Sequence, residues 1–455
     1  MKNKLVNGPQ IFPLWQLIRW IQDPLLFQQE CCQIYGDIFT LNVQGFAPFV
    51  VIGNPLGIQE IFSQNPDNFD VGRGNKIAEP LFGTKSLFVY DGKRHQKERK
   101  LLMPPFHGQS LQFYAQSICD IAMEVVNKCP ENQPIIIRKV MQTISLEVIL
   151  KVVFGISEGE RYQKIKPLLA QMLDVTDSPL TSSFLFFKFL QKDWGKWSPW
   201  GRIQYTRRKI YQLLQEEIEE RRSQKNNSGS DVLSLMMAAK DESGQSLTDD
   251  ELKDELVTLL FAGHETTATS MSWAFYQILS HPSILEKMRK ELEETTNNLN
   301  PLEIAKLPYL NAVCQEVLRM YPILPIIFPR ITKTKMTIMG REFPPETWLT
   351  PSIYLVHYRE DLYHEPHQFK PERFLEKKFT NYEYLPFGGG TRRCLGYALA
   401  ELEMKLVLAS IISKYSLTLT TEKTVEPQRR GFTISPAGGV PVILLGSVPK
   451  TSDHG

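Results

Sequence analysis

The sequence predicts a mainly helical fold with a small β region, and three observations carry that prediction. From Pro55 onward, apolar residues recur with helical spacing. One helix can be followed from Thr248 to Ser280, about 32 residues and roughly 48 Å at 1.5 Å per residue, long enough to cross a whole domain. Strand-like stretches are confined mainly to residues 36–60 and 322–355. No composition break divides the 455 residues, so a single domain over residues 1–455 is expected, although the length alone would suggest about three.

Composition narrows the function class. Hydrophobic content of 42% fills a large core, and a net charge of +2 leaves no nucleic-acid footprint. Cys31, Cys32, Cys119, Cys129, Cys314 and Cys394 show no disulfide framework and no C-x-x-C spacing, so a reducing, cytoplasmic setting is expected. No apolar run approaches the roughly 18–20 residues that span a bilayer. Lys2 and Lys4 are not followed by an apolar core with a cleavage site, so no signal peptide is read and a soluble protein is expected. Two aromatic stretches qualify this. One is Ile11–Phe27 with Trp15 and Trp20; the other, Pro179–Trp200, carries Phe184, Phe186, Phe187, Phe189, Trp194 and Trp197 interleaved with Lys188, Lys192 and Lys196. Such segments either touch a membrane peripherally or roof an apolar pocket, and both readings stand.

In chain order, Ile38–Val43 and Phe49–Ile52 alternate like strands across a turn around Gly45 and Pro48, and predict one small sheet. Lys93–Leu102 reads as a cationic helix entered from Asp91-Gly92. His95 and Arg99 share one face at i, i+4, while Arg94, Lys97 and Lys100 fall on the other. Solvation of a charged helix is the ordinary explanation; a buried cationic pair would instead need anions to meet it. Lys225–Asp231 is a short loop between helices. Thr248-x-x-Glu251 is a capping box that opens the long helix, and His281-Pro282 stops it. Its middle reads Ala262-Gly263-His264-Glu265-Thr266-Thr267, small enough to leave room for a flat ligand and a diatomic molecule. Thr266 can bond back to the carbonyl of Ala262 and open the helix locally. A zinc protease would need H-E-x-x-H, which is absent. Pro308–Tyr321 is a helix carrying Glu316 and Arg319 at i, i+3, commonly a surface pair worth a few tenths of a kcal/mol.

The stretch Phe387–Gly396 reads Phe-Gly-Gly-Gly-Thr-Arg-Arg-Cys-Leu-Gly. It sets Cys394 after a glycine run and before a helical pattern, where unpaired N–H groups and the helix dipole favour a thiolate. A phosphate loop fits poorly, because neither G-x-x-x-x-G-K-[ST] nor G-x-G-x-x-G stands in the right frame. A single thiolate beneath a close-fitting flat group points to haem rather than zinc, which would want more Cys or His nearby.

Here the chain resembles the cytochrome P450 superfamily. Phe-x-x-Gly-x-Arg-x-Cys-x-Gly is similar to its haem loop, Ala262–Thr267 to its oxygen-activation hexapeptide, and Glu316-x-x-Arg319 with Pro371-Glu372-Arg373-Phe374 to its buried ion-pair set; His95-x-x-x-Arg99 resembles its propionate-binding helix. The resemblance implies the cytochrome P450 fold and haem b with Cys394 as the axial thiolate. Phe387, Gly388, Arg392 and Gly396 would surround it, Ala262 would lie by the haem, and His95, Arg99 and Arg330 would meet the propionates. It assigns oxygen activation to Thr266, a proton relay to Glu265, and a structural role to Glu316, Arg319 and Arg373. A gas sensor or carrier would need less than the Glu265-Thr266 pair, and peroxide-driven relatives tend to have lost it.

The implied reaction is hydroxylation of an apolar substrate, a fatty acid or similar long-chain or terpenoid molecule, with dioxygen and two electrons. Phe88, Phe261, Ile326 and Ile434 are expected to line the pocket, within the apolar regions Phe69–Val89, Leu173–Phe187, Ile323–Phe328 and Phe432–Ile434. Histidine third in the hexapeptide is similar to several fatty-acid hydroxylases, and the N-terminal half resembles a soluble bacterial branch. No flavin or iron–sulfur segment follows Cys394, so a ferredoxin or flavodoxin is the expected donor. It would be steered by Arg94, Lys97 and Lys100, with Arg393 joining them. A monomer is expected.

Overall fold

Thr248 begins the element around which the molecule is arranged. Its hydroxyl accepts from the Glu251 amide, and the Glu251 carboxylate reaches back to the Thr248 amide at 2.9 Å, so the expected capping box forms. Asp249, Asp250 and Glu251 place negative charge on the positive end of the helix. The helix runs Asp249–Ser280, 32 residues, and ends at His281. Buried residues such as Leu252, Leu256, Leu260, Met271, Trp273 and Phe275 lie all round it, so it threads the core rather than covering one side. It packs against helices Ile137–Val148 and Tyr397–Ile412, and helix Ser110–Val126 packs on both of those. The computed structural model describes residues 6–173, 191–224, 229–295 and 300–448.

Beside this helical core lies a five-stranded sheet in the order Ile38–Leu41, Phe49–Ile52, Trp348–Pro351, Arg330–Thr332, Phe69–Asp70. The first pair is antiparallel with Phe39 opposite Val51, and Phe49–Ile52 runs parallel to Trp348–Pro351. The two strand-like regions of the sequence therefore meet in one sheet. A second β region was not anticipated. Pro441–Ser447 pairs with Tyr415–Leu419 and with Pro134–Ile136, and Pro427–Arg430 pairs with Thr433–Pro436. Pro134–Ile136, Pro427–Arg430 and Pro441–Ser447 each begin at a proline, which is tolerated at the first residue of a strand but reads as a turn in the sequence, and Gln428-Arg429-Arg430 is a polar run that masks alternation.

The aromatic stretches divide. Trp200 is buried, but Trp194 and Trp197 are 68% and 94% exposed and roof nothing, which corrects the pocket-roof reading for them. Residues 174–190, including Phe184, Phe186, Phe187, Lys188 and Phe189, lie outside the described residues, as do residues 225–228 of the expected loop. At the other end, Phe12 at the N-cap of helix Pro13–Gln22 and Trp15 within it stand exposed, while Trp20 packs edge-on to Phe49. Among the described residues, no helix is long and apolar enough to cross a membrane.

Glu316 and Arg319 are not a surface pair: both are 0% exposed. Arg319 binds both oxygens of Glu316, at 2.7 and 2.9 Å, and Arg373 adds a bond at 2.9 Å, completing the expected trio. The remaining guanidinium N–H groups reach main-chain oxygens, including Arg319 to His357 O and Arg373 to His364 O, both at 2.9 Å. Such saturation is what lets charges persist without water. His357 extends the cluster. Its Nε2 accepts from the Leu385 amide at 3.0 Å, so its Nδ1 carries the proton and donates to Arg319 O at 3.0 Å.

Burial, with Arg319 beside it, pushes the His357 imidazole down to about 3 from its ordinary 6.5. The unfolded chain then binds a proton that the folded one refuses between those values, so stability is lost as pH falls through that window. The melting temperature should drop steadily below pH 6.5, with His357 contributing up to about 1.4 kcal/mol per pH unit. In His357→Gln, calorimetry should find lower stability at pH 7 but a shallower acid slope. A slope equal to wild type would remove His357 from the acid response.

Candidate active site

The loop Phe387–Gly396 is closed by the Cys394 amide donating to Phe387 O at 2.9 Å. Gly388 and Gly390 turn it with φ of +68° and +63°, a backbone that side-chain-bearing residues rarely adopt. Gly389 makes a close approach: a Cβ there would stand 2.4 Å from the Phe62 ring. Helix Tyr397–Ile412 follows, with Gly396 at its N-cap. Cys394 has an exposed surface, yet protein surrounds it closely enough that burial dominates its chemistry. A sulfur that faces an internal opening satisfies both observations. Burial raises the thiol above its ordinary value, while the Gly396 amide, Arg99 and Arg393 pull it down. The expected helix-end stabilisation of the thiolate is therefore present but outweighed. A bound cation at the sulfur would supply the missing charge.

Three arginines, Arg99, Arg330 and Arg392, gather near this loop with a histidine among them. His95 is buried on the inward face of helix Gly92–Leu102, and burial together with Arg392, Arg99 and Arg330 pushes its imidazole down to about 3. Arg330, in strand Arg330–Thr332, is buried and pushed down to about 10 by burial and by Arg392. It donates to Gly389 O at 3.0 Å and lies over the Phe62 ring, while its Nε has no acceptor among the described residues. Arg392 is likewise lowered to about 10 by burial, against the opposing pull of Asp91, which it meets at 2.8 Å. Arg99 has no carboxylate partner among the described residues. Asp91 is the only carboxylate bonded to any of the four among the described residues, and it is already held by the Val71 and Gly72 amides. The site is thus short of anions. Two carboxylates on a flat group beside an open thiol would correct this, so the residues present fit haem.

Midway along the central helix, Ala262 is exposed and Gly263 and Thr266 are half-buried, amid otherwise buried neighbours. Thr266 Oγ1 donates to Ala262 O at 2.5 Å, the bond expected from the sequence. The helix remains continuous there, so no break accompanies it. Glu265 points elsewhere. It forms an ion pair with Arg138 at 2.6 Å and accepts from Gln142 at 3.0 Å and Thr269 at 3.1 Å, all buried or nearly so. Helix Ile137–Val148 therefore grips the carboxylate from the side. Sequence reading missed Arg138 and Gln142; the available signal was an arginine next to the apolar stripe Ile137, Val140, Met141 and Ile144 of an amphipathic helix.

The expected pocket residues separate. Phe88 meets Phe328 and Phe82 edge-on at 4.9 and 5.2 Å, Phe82 reaches Phe261 at 5.9 Å, and Phe328 reaches Phe432 at 6.3 Å. Phe88 and Phe261 thus belong to one ring cluster. Ile326 is half-buried, its backbone bridged to Ser352. Ile434 is 3% exposed and its carbonyl accepts from Trp273, while Phe432, two residues earlier, is the tail ring that reaches Phe328. The outward face of helix Gly92–Leu102 also differs from expectation. Lys97 pairs with Asp241 at 2.5 Å, Lys100 with Glu242 at 3.1 Å and Arg94 with Glu251 at 3.3 Å, while Arg393 stacks on Tyr397. That face is charge-balanced rather than a free cationic patch.

This arrangement defines an oxygenase class in which a mainly helical shell holds a thiolate beneath a flat cofactor. The family model described as Cytochrome P450 matches residues 6–440. Two Mycobacterium tuberculosis proteins with provisional names are similar. Cytochrome P450 135B1 is 32% identical over 436 residues, covering 96% of this chain and 90% of that protein. Cytochrome P450 138 is 28% identical over 440 residues, covering 96% and 95%. Among solved structures, retinoic acid bound cyanobacterial CYP120A1 matches with a TM-score of 0.84 and 26% identity, over 98% of this chain and 100% of that one. The chain belongs to the cytochrome P450 family. It is a monooxygenase of the haem-thiolate kind, using dioxygen, a substrate and a redox partner.

The Arg138–Glu265 pair can be tested without turnover. Arg138→Leu strands a buried carboxylate and should cost about 3–5 kcal/mol in denaturant unfolding. Arg138→Leu combined with Glu265→Leu should lose less than the single change, because no unpaired charge remains. A double variant as unstable as the sum of the singles would mean the two side chains do not interact.

Proposed function

We propose that Cys394 is the axial thiolate of this monooxygenase and that its substrate is a long-chain or terpenoid molecule, with fatty acids the leading class. The observation that carries the first statement is the open thiol of Cys394 in a closed loop beside an anion-deficient cluster of His95, Arg99, Arg330 and Arg392. With thiolate ligation, haem supplies the oxidising power that inserts one atom of dioxygen into a C–H bond.

The chain's own residues do the rest. His95, Arg99, Arg330 and Arg392 bind the cofactor's carboxylates and so set its orientation. Ala262 and Gly263 leave the central helix thin where a substrate must come close. Thr266 keeps its hydroxyl at that surface and passes a proton to the reacting oxygen, its own bond to Ala262 O exchanging for one to dioxygen. Glu265, next in sequence but about 100° round the helix and paired with Arg138, replenishes that proton once the pair opens and its carboxylate is free to take one up. The rings of Phe82, Phe88, Phe261, Phe328 and Phe432 hold the substrate and exclude water.

The ring cluster supports an apolar substrate, and the cyanobacterial neighbour, bound to retinoic acid, supports an elongated isoprenoid or fatty acid in particular. Electrons come from a ferredoxin- or flavodoxin-type protein. The balanced charges around Lys97 and Lys100 give that docking less electrostatic steering than a bare cationic helix would.

Two measurements test these readings. The ferrous carbon monoxide complex should show the red-shifted Soret band of thiolate ligation, and Cys394→Ser should lose it; an ordinary histidine-type band in the wild type would refute the assignment. Long-chain fatty acids and terpenoids should shift ferric iron toward high spin, and product should form with reduced ferredoxin or flavodoxin but not with peroxide alone. Response only to polar metabolites would overturn the substrate class.

A further inference from the structure

Away from the thiol, a pocket of about 450 Å³ opens where Gly83 and Lys85 meet Arg207 and Tyr211 of helix Pro199–Ser223 and Asp250 and Asp254 of the central helix. Asp254 ties the three elements together. Its side chain is buried, and its carboxylate accepts from the Lys85 amide at 2.9 Å, from the Tyr211 hydroxyl, and from Arg207 at 3.4 Å. It lies flush against Gly83, whose φ is +90° and whose missing Cβ would stand 2.1 Å from the carboxylate. The next residues are fastened to the same helix: Thr258 bonds Ser86 at 2.8 Å, and Glu255 accepts from the Leu87 amide.

This fastened segment begins at Phe82, the ring that touches both Phe88 and Phe261. Asp254 and Phe261 are seven residues apart, two turns on one face of the helix, and Ala262 follows directly. The charged pocket and the aromatic cluster are therefore the outer and inner sides of one partition, made of Phe82 and residues 83–87. A partition held to one helix face by bonds to Asp254, Glu255 and Thr258 opens from its outer end, where Asp254 holds the Lys85 amide beside the pocket.

We propose that Asp254 is the latch of a substrate entrance, and that it sets which molecules reach the aromatic cluster by holding Phe82 and residues 83–87 against the central helix. The inference rests on reading that cluster as substrate space. It makes Asp254 and Tyr211 specificity-determining residues that act before any chemistry. Bulky ligands need the latch open; small ones do not.

The test uses the full-length haem protein and two iron ligands, imidazole and 4-phenylimidazole, which report access whatever the natural substrate is. In Asp254→Asn, which keeps shape but loses charge, association and dissociation of 4-phenylimidazole should both speed up roughly tenfold, since a hydrogen bond to a charged group is lost. The equilibrium constant should move less than twofold, and imidazole rates should hardly change. Hydrogen exchange at the Lys85 and Leu87 amides should rise by a similar factor. Tyr211→Phe, which removes only one hydroxyl, should give the same pattern more weakly and serves if Asp254→Asn fails to fold. Unchanged exchange would show that Asp254 is no latch, and raised exchange with unchanged 4-phenylimidazole rates would show that the partition is not on the route. A substrate-class error would leave both readouts intact and appear only as spectral silence toward fatty acids and terpenoids.

Discussion

The buried carboxylate of Glu316 is the fixed point of this fold. Two guanidinium groups and the Lys370 amide converge on it, and no water is needed to complete the set. Arg319 passes the constraint to His357 through its own carbonyl and through a bond to the His357 carbonyl. His357 in turn holds the Leu385 amide, two residues before the loop that carries Cys394. Taking one member away would strand charge in the interior, a cost of several kcal/mol and a large share of what any domain has. The position of the thiol is thus set by electrostatics some distance from it.

A second constraint runs the other way. At the Cys394 site, buried arginines are collected with Asp91 as their one carboxylate among the described residues, and burial first, then neighbouring positive charge, depresses His95, Arg330 and Arg392. One buried cluster is satisfied by the chain itself and holds the frame. The other is completed by an anionic partner, which makes the site a binder rather than a brace. On the central helix the same division recurs at adjacent residues. Glu265 is paired by Arg138, whereas Thr266 spends its hydroxyl on the helix's own Ala262 carbonyl, a bond it can exchange.

What could be read from the sequence was what local signals encode. The capping box at Thr248, the stop at His281-Pro282, the i, i+4 pair His95 and Arg99, and the glycine-rich approach to Cys394 each need only a few neighbouring residues, and each stands where expected. Partners brought together across long separations were not legible. Arg138 lies 127 residues from Glu265, and Lys100 lies 142 from Glu242, so neither spacing nor periodicity could pair them. The C-terminal strands escaped for a different reason: prolines at strand starts and the charged run at Arg429-Arg430 weaken alternation.

The contact between Phe62 and Gly389 has a consequence for how the chain is made. The ring of Phe62 fills the space a side chain at Gly389 would need, and Arg330 lies across it. Asp91 likewise meets Arg392 across a separation of 301 residues. A polypeptide leaving the ribosome exposes Phe62 and Asp91 long before their counterparts exist. Closing such distant contacts is slow, because loop-closure entropy must be overcome before any of them stabilises the fold. The early β-strands face a similar wait for Trp348–Pro351. A site assembled from such contacts is complete only when the chain is, so cofactor capture would belong to the finished polypeptide rather than to a growing one.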